Sequence, residues 1–294
     1  MKLAVLTLSA HGHVNPMLPL VAELSRRGHE IILPVTREFS AAAALTGARV
    51  IDLGDPVRPP VLAGTPDAAG PEAFAAVRAE MRDRTIQAIR AAVAAAPDLV
   101  IYDAFLAMTG DSTVYDLPMR RVAFFPTFAI PEGASPMEVL RIPESARTGL
   151  LGNQQGSPIL NSPAVAEDLN IVAIPRSYQP HPEAFDGRYL FAGPMLRTEP
   201  NPADFPIPPA DGRPLVFVSL GTVASDRPDF YRAALDALGS RGWRAVVATG
   251  RTDPDAIGPI PANVVAAPHV PQLAVLGEAD VFVSHGGMNS TMES

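Results

Sequence analysis

The 294-residue sequence contains no cysteine, and this absence excludes disulfides, thiol nucleophiles and metal sites built from thiolates. Its 6 histidines are scattered, without the short paired spacing that is typical of a zinc site. We therefore expect no metal ion.

Long apolar segments are missing as well. No stretch approaches the roughly 20 apolar residues of a membrane-spanning helix, and the run Leu3 to Leu8 lacks the charged lead and cleavage pattern of a signal peptide. These absences predict a cytoplasmic protein with no stable membrane insertion.

Positive charge is also scarce, since the formal net charge is -8, whereas nucleic-acid binding needs clustered lysine and arginine. We expect no nucleic-acid partner.

What is present is an ordinary globular composition, 47% hydrophobic, in a chain long enough for two domains. Residues 2–36 run as an apolar strand, a loop, a helix that stops at Gly28, and a second strand. Residues 214–250 repeat this plan, with Gly242 in the place of Gly28. The repetition predicts an α/β protein with two Rossmann-like domains and parallel sheets.

A proline-rich stretch separates the two repeats and cannot support helix interiors or central strands. Its prolines are Pro194, Pro200, Pro202, Pro206, Pro208, Pro209 and Pro214. We predict an N-terminal domain over 1–193, a linker over 194–213 and a C-terminal domain over 214–294. The C-terminal part has strands at roughly 215–219, 244–248, 263–267 and 280–284 but little helix to cover them, so we expect the native protein to be longer by on the order of a hundred residues.

Ligands of open parallel sheets bind at the carboxyl ends of the strands. That rule directs attention to four loops: Ser9 to Asn15, Asp103 to Phe105, Ser219 to Thr222 and His285 to Ser290. In the first loop we expect Asn15 to cap the following helix, with Pro16 in its first turn.

Histidines and a carboxylate occupy two of these loops. His11 and His13 follow the first strand, where either is a candidate general base or a locally packed side chain, and spacing alone does not rank them. Asp103 ends the strand D-L-V-I-Y-D and would emerge at the same rim. There it could stabilise a protonated imidazole, or simply form a turn.

The end of the chain carries a strand followed by H-G-G-M-N-S-T-M-E-S. Glycines let the backbone approach a ligand, and amides at a helix start favour a diphosphate without a metal. His285 could add a hydrogen bond. The alternative is that Ser290 and Glu293 form a capping box that needs no ligand.

Taken in order, A-H-G-H-V-N-P, V-S-L-G-T, H-V-P-Q-L and H-G-G-M-N-S-T-M-E-S resemble the motifs of macrolide and other natural-product glycosyltransferases, bacterial relatives of the UDP-glycosyltransferases. The resemblance implies a GT-B fold and an inverting, metal-independent transfer. It selects His13 as the base and Asp103 as the partner that orients and charges it. The sugar donor would be a UDP or TDP sugar, bound in the C-terminal domain.

The resemblance also implies the donor contacts. Ser219, Gly221 and Thr222 would lie near the phosphates. His269, Val270 and Gln272 would lie at the base. His285, Asn289 and Ser290 would lie at the diphosphate, beside the backbone of Gly286 and Gly287, and Glu293 would bind the ribose diol. Many relatives have Trp where this chain has His269, so the stacking area on the base is smaller here.

The acceptor would be a small apolar molecule with a hydroxyl, such as a macrolide, polyketide or flavonoid. The segments Ala104 to Met108 and Phe124 to Ile130 offer apolar side chains for it, unless they simply form core. A homodimer is a further candidate partner, and no cofactor beyond the sugar donor is expected.

Three other functions compete with this one. A nicotinamide-dependent oxidoreductase would need a G-x-G-x-x-G loop, which neither repeat contains. A non-catalytic partner of a glycosyltransferase could keep the fold, although it could dispense with His13 and Asp103. A sugar-nucleotide epimerase would use the donor without an acceptor.

Overall fold

The structure is a computed structural model that describes residues 1–56, 71–109, 114, 116–134, 166–197, 205–222 and 225–294, with side chains omitted for 71–78 and 107–109. Two compact units are present, and the first ends at Arg197. Residues 198–204 of the expected linker lie outside the described residues, so the domain limits stay a prediction.

The first unit is built on a seven-stranded sheet in the order β3-β2-β1-β4-β5-β6-β7, in which every pair of neighbours is parallel. Its elements are β1 (Lys2–Leu6), α1 (His11–Arg26), β2 (Glu30–Val35), α2 (Arg37–Ala44), β3 (Arg49–Asp52), α3 (Pro71–Ala94), β4 (Leu99–Asp103), β5 (Arg120–Phe125), β6 (Asn170–Val172) and β7 (Tyr189–Phe191). A 3₁₀ helix, Ala104–Thr109, follows β4 directly.

The second unit holds a four-stranded parallel sheet in the order β10-β9-β8-β11. Its elements are β8 (Leu215–Ser219), α4 (Pro228–Arg241), β9 (Arg244–Ala248), β10 (Val264–Ala267), α5 (Gln272–Glu278), β11 (Val281–Ser284) and α6 (Met288–Glu293). The predicted α/β fold class is confirmed, and the four strands lie within a residue of the expected positions.

Helix α1 begins earlier than the sequence suggested. Its first residue is His11 and its N-cap is Ala10, so Asn15 is not the cap and Pro16 lies in the second turn. The reason is burial: Val14 is fully buried and starts the apolar face of the helix, which continues at the i+3, i+4 and i+7 positions. The helix must therefore begin before Val14, which brings both histidines into its first turn.

The second sheet is covered unevenly. One face of β8 packs under α4, and its other face carries Phe217, whose ring stacks on Phe282 of β11 with centroids 4.9 Å apart. Val281 and Val283 alternate with Phe282 on β11 and are 48% and 42% exposed. Among the described helices, none has the length and apolar content needed to cross a membrane.

Both sheets share one topological feature. In each, the first strand of the unit is central, and the chain passes to one side of it before returning to the other: β2 and β4 flank β1, while β9 and β11 flank β8. Such switch points leave a crevice between neighbouring loops at the carboxyl ends of the strands. The loops after β1 and β4, and those after β8 and β11, are the ones the sequence singled out.

Candidate active site

The switch point of the first sheet brings together His13 and Asp103. His13 lies in the first turn of α1 and Asp103 is the last residue of the adjacent strand β4. The imidazole Nδ1 and the Asp103 Oδ2 are 2.7 Å apart, the length of a charge-assisted hydrogen bond. Asp103 is fully buried, whereas 22% of the His13 side chain is exposed. The imidazole therefore stands between the buried carboxylate and the solvent.

Phe105 holds both members of this pair. Its backbone N–H donates a hydrogen bond of 2.9 Å to Asp103 Oδ1, which leaves Oδ2 for the imidazole. Its ring meets the His13 ring edge-on, with centroids 5.4 Å apart. From the sequence, Phe105 was expected only as an apolar residue, and no sequence pattern signals that its amide would bind the carboxylate.

The structure also separates the two early histidines. The ring of His11 packs edge-on against Phe39 of α2, at 4.8 Å between centroids, whereas His13 binds Asp103. The partner of His13 is a fully buried carboxylate, which a general base uses to fix its tautomer.

The pair shifts the protonation of His13. Burial lowers its pKa, but the charge of Asp103 and the hydrogen bond to it raise the pKa, and the net result lies above the ordinary value. When Nδ1 donates to Asp103, the lone pair of Nε2 remains available to take a proton. The arrangement therefore suits a base that becomes an imidazolium during a reaction.

Most of the apolar residues expected to line an acceptor site belong to the core instead. Leu106, Phe124, Phe125 and Ile130 are buried, and the side chain of Met108 lies outside the described residues. Phe124 and Phe125 are successive residues of β5, a strand with a neighbour on each side, so both faces of the sheet are buried there. Leu106 lies in the 3₁₀ helix after β4, and Ile130 lies in the loop after β5. Phe105 and Phe128 remain partly exposed.

The loop that carries Phe128 is fixed by a buried glutamine. Gln179 Oε1 accepts a hydrogen bond of 2.9 Å from the Ala129 N–H, and its Nε2 donates one of 3.1 Å to the Ala129 carbonyl. The Phe128 ring stacks on that of Tyr178, with centroids 6.1 Å apart. Gln179 was not predicted from the sequence, because a side chain that binds a distant backbone leaves no local pattern.

At the switch point of the second sheet, two adjacent strands are each followed by a turn of the same kind. Ser219 and Ser284 are paired across β8 and β11. The Ser219 Oγ accepts the N–H of Gly221 at 3.2 Å, and the Ser284 Oγ accepts the N–H of Gly286 at 3.2 Å. Both glycines have φ of +72°, in the left-handed region that favours glycine. We call residues 219–221 and 284–286 the paired Ser-x-Gly turns.

These turns place several predicted donor residues at one edge of the sheet. Ser219 is buried, while Gly221 is partly exposed and Thr222 is exposed. His285 and Gly286 are exposed on the neighbouring turn. The sequence predicted these residues, and the repeated serines of S-L-G and S-H-G, at 219 and 284, are the sequence signal of the paired turns.

The capping-box alternative is wrong. Gly287 is the N-cap of α6, and Ser290 lies buried inside that helix, with Asn289 beside it. The Oε2 of Glu293 accepts a hydrogen bond of 2.5 Å from Nε2 of Gln272, at the beginning of α5. The residues expected at the base and at the ribose are therefore in contact with each other.

The H-V-P-Q-L segment follows β10. His269 is exposed there, while the side chain of Val270 packs on the core cluster of Leu215, Phe217, Val246 and Val275. The imidazole of His269 is therefore more accessible to a ligand next to this segment than the partly buried side chain of Val270.

Comparison with known proteins gives consistent results. No protein-family model matches the chain. It is 33% identical over 306 residues to NDP-glycosyltransferase YjiC of Bacillus licheniformis, covering 99% of this chain and 76% of that protein. It is 30% identical over 320 residues to oleandomycin glycosyltransferase of Streptomyces antibioticus, covering 99% and 71%. The solved structure of the glycotransferase of kitacinnamycin has a TM-score of 0.72 at 27% identity, covering 99% of this chain and 77% of that one.

Proposed function

This chain belongs to the GT-B natural-product glycosyltransferases that use nucleoside-diphosphate sugars, and we propose that it inverts the sugar with His13 as general base and Asp103 as its partner. The observation that carries the proposal is the 2.7 Å hydrogen bond between the partly exposed imidazole and the buried carboxylate. That bond lies at the switch point of the sheet, where open parallel sheets bind ligands.

The proposed chemistry begins with an acceptor hydroxyl, which is a poor nucleophile at neutral pH. His13 Nε2 takes its proton as the oxygen attacks the anomeric carbon from the face opposite the leaving diphosphate. The bond from that carbon to the diphosphate breaks with its electron pair, so the configuration inverts. The Asp103 carboxylate stabilises the imidazolium that forms, and the proton later passes to solvent or to the departing nucleotide.

The leaving diphosphate carries the charge that develops in this step. We assign its binding to the paired Ser-x-Gly turns and to His285, because glycine lets the main chain of the turns approach a ligand closely and the imidazole can donate a hydrogen bond to a phosphate oxygen. His269, Gln272 and Glu293 are assigned to the nucleoside. No metal is required in this scheme, because backbone and imidazole donors supply the stabilisation.

The acceptor that we propose is a small apolar natural product with a free hydroxyl. One relative is named oleandomycin glycosyltransferase, and one solved structure is that of the glycotransferase of kitacinnamycin. In this chain, Phe105 lies against His13 and Phe128 is held on a fixed loop by Gln179. Aromatic side chains with partly exposed faces suit apolar acceptors. The cytoplasmic location and the homodimer stay predictions.

The test is a transfer assay with UDP and TDP sugars and a panel of hydroxylated aglycones. We expect nucleoside diphosphate to be released only when an acceptor is present, and NMR of the glycoside to show an anomeric configuration opposite to that of the donor. Altered sugar without an acceptor would indicate an epimerase. Binding without turnover would indicate a non-catalytic partner. A retained configuration would overturn the proposed mechanism.

A further inference from the structure

The imidazole of His285 lies in a slot between two glycines. A side-chain carbon built on Gly221 would come 2.5 Å from His285 Cε1 and 3.1 Å from its Nε2. One built on Gly287 would overlap Nε2 and lie 2.6 Å from Cε1. Real carbon atoms do not approach a ring this closely. The Cε1–Nε2 edge of the ring therefore fits only because both neighbouring residues lack a side chain.

The slot is assembled by the paired Ser-x-Gly turns. Gly221 ends the turn after β8, and Gly287 directly follows the turn after β11, on the neighbouring strand. Each turn is fixed by a serine hydroxyl at its strand end, so the separation of the two glycines is set by the sheet itself. The position of the imidazole thus depends on two turns whose serines, Ser219 and Ser284, are 65 residues apart in the chain.

We infer that Gly221 and Gly287 are positioning residues, which hold the His285 imidazole in one orientation for the donor diphosphate. The inference rests on the proposed function, because it takes the diphosphate as the ligand of His285. An exposed imidazole that could rotate freely would lose conformational entropy on binding a phosphate. A ring confined by two backbones has already lost it, so more of the hydrogen-bond energy contributes to affinity.

The two glycines differ in a way that makes the inference testable. Gly287 has φ of -62° and ψ of 144°, an ordinary extended backbone that alanine adopts without strain. The three atoms nearest to a side-chain carbon at Gly287 all belong to His285. Gly287→Ala therefore changes the position of the imidazole and little else. Gly221→Ala would add backbone strain, since its φ is +72°, and is the less informative variant.

The experiment measures binding of UDP and uridine, and of TDP and thymidine, by calorimetry. His285→Ala should weaken the diphosphates about 10- to 100-fold, as expected for a hydrogen bond to a charged group, and leave the nucleosides nearly unchanged. Gly287→Ala should reproduce this selective loss. In the double variant, Gly287→Ala should add nothing to the loss from His285→Ala, because the imidazole through which it acts is gone.

Gly277→Ala is the matched control, because a side-chain carbon there meets nothing within 4 Å and the residue lies outside the proposed site. If Gly287→Ala does not fold, the double variant should restore folding, since alanine at 285 empties the space. Wild-type binding by Gly287→Ala, or an additive loss in the double variant, would overturn the positioning role of the glycines. A selective loss in His285→Ala would in that case still support the contact between His285 and the diphosphate. Equal loss of nucleoside and diphosphate in His285→Ala would overturn both.

Discussion

Asp103 is fully buried, and its Oδ2 is held 2.7 Å from the Nδ1 of His13, a residue 90 positions earlier in the chain. Among the described residues, no lysine or arginine forms an ion pair with this carboxylate. A buried carboxylate is costly unless it is hydrogen-bonded or paired. Here the Phe105 amide and the imidazole supply its hydrogen bonds. The contact between His13 and Asp103 therefore both compensates the buried charge of Asp103 and raises the basicity of His13.

Replacing Asp103 with asparagine should preserve the shape of the site and remove its charge. Without the carboxylate the pKa of His13 falls, and an amide can stabilise the wrong tautomer. We expect transfer to drop by roughly 10²- to 10⁴-fold. The acid limb of the pH–rate profile should move to lower pH, because a lower pH is then needed to protonate the imidazole.

A pH profile of kcat/KM for wild type and Asp103→Asn checks this expectation, with thermal denaturation of both proteins as the control. Little change in stability is expected. If Asp103→Asn instead unfolds the protein, the residue serves the turn rather than the chemistry.

Protonation of His13 should also appear in the stability of the fold. Burial lowers its pKa, but the charge and hydrogen bond of Asp103 raise it to a net value above normal. A group whose pKa is raised on folding stabilises the protein below its unfolded pKa, about 6.5 for histidine. That stabilisation is lost as the pH rises through the folded pKa.

The free energy of unfolding of wild type relative to His13→Gln should therefore be most favourable below about pH 6.5 and decline at higher pH. Urea denaturation of both proteins across this range measures the difference. A difference that grows with rising pH would mean that the folded state favours the neutral imidazole.

His269 offers a gain-of-function test on the donor side. It is exposed after β10, and a tryptophan there would present a larger aromatic plane to the nucleobase. We expect His269→Trp to bind uridine and thymidine about 2- to 10-fold more tightly, from a stacking energy of about 0.5–1.5 kcal/mol. Pyrophosphate should bind as before. Unchanged nucleoside affinity would place the base elsewhere.

Glu293 should recognise the ribose hydroxyls. Its carboxylate is held by Gln272 at the start of α5, and a hydrogen bond to a charged group contributes about 1.5–3 kcal/mol. Glu293→Ala should therefore weaken UDP about 10-fold more than 2′-deoxy-UDP, which has lost one of the two hydroxyls. Titration calorimetry with both nucleotides measures the ratio, and Glu278→Ala, an exposed residue at the end of α5, is the control. The same loss for both nucleotides would exclude the ribose contact.

The sequence predicted the architecture well because its signals are local. Apolar runs marked β1, β4 and the strands of the second sheet, and the four motifs identified the family. The rule on the carboxyl ends of strands then pointed to the loops after β1, β4, β8 and β11, and the first two of these bring His13 and Asp103 together. These features need only a few adjacent residues to be read.

What the sequence could not supply depends on contacts between distant segments. The predicted start of α1 was wrong because Val14 is buried by tertiary packing. The choice of His13 over His11 by geometry required the position of Asp103. The inward side chain of Val270, the contact between Gln272 and Glu293, and the slot around His285 all involve residues that are distant in the chain. Gln272 and Glu293 are 21 positions apart, and no short pattern encodes such a contact.

The role of His13 as the base is checked by the steady-state rate of sugar transfer with the His13→Ala variant. We predict that kcat falls by about 10²- to 10⁴-fold, the usual contribution of a general base, while the Kd of the nucleoside diphosphate stays within a factor of about 2 of wild type. Transfer near the wild-type rate by a folded His13→Ala protein would show that His13 is not the base.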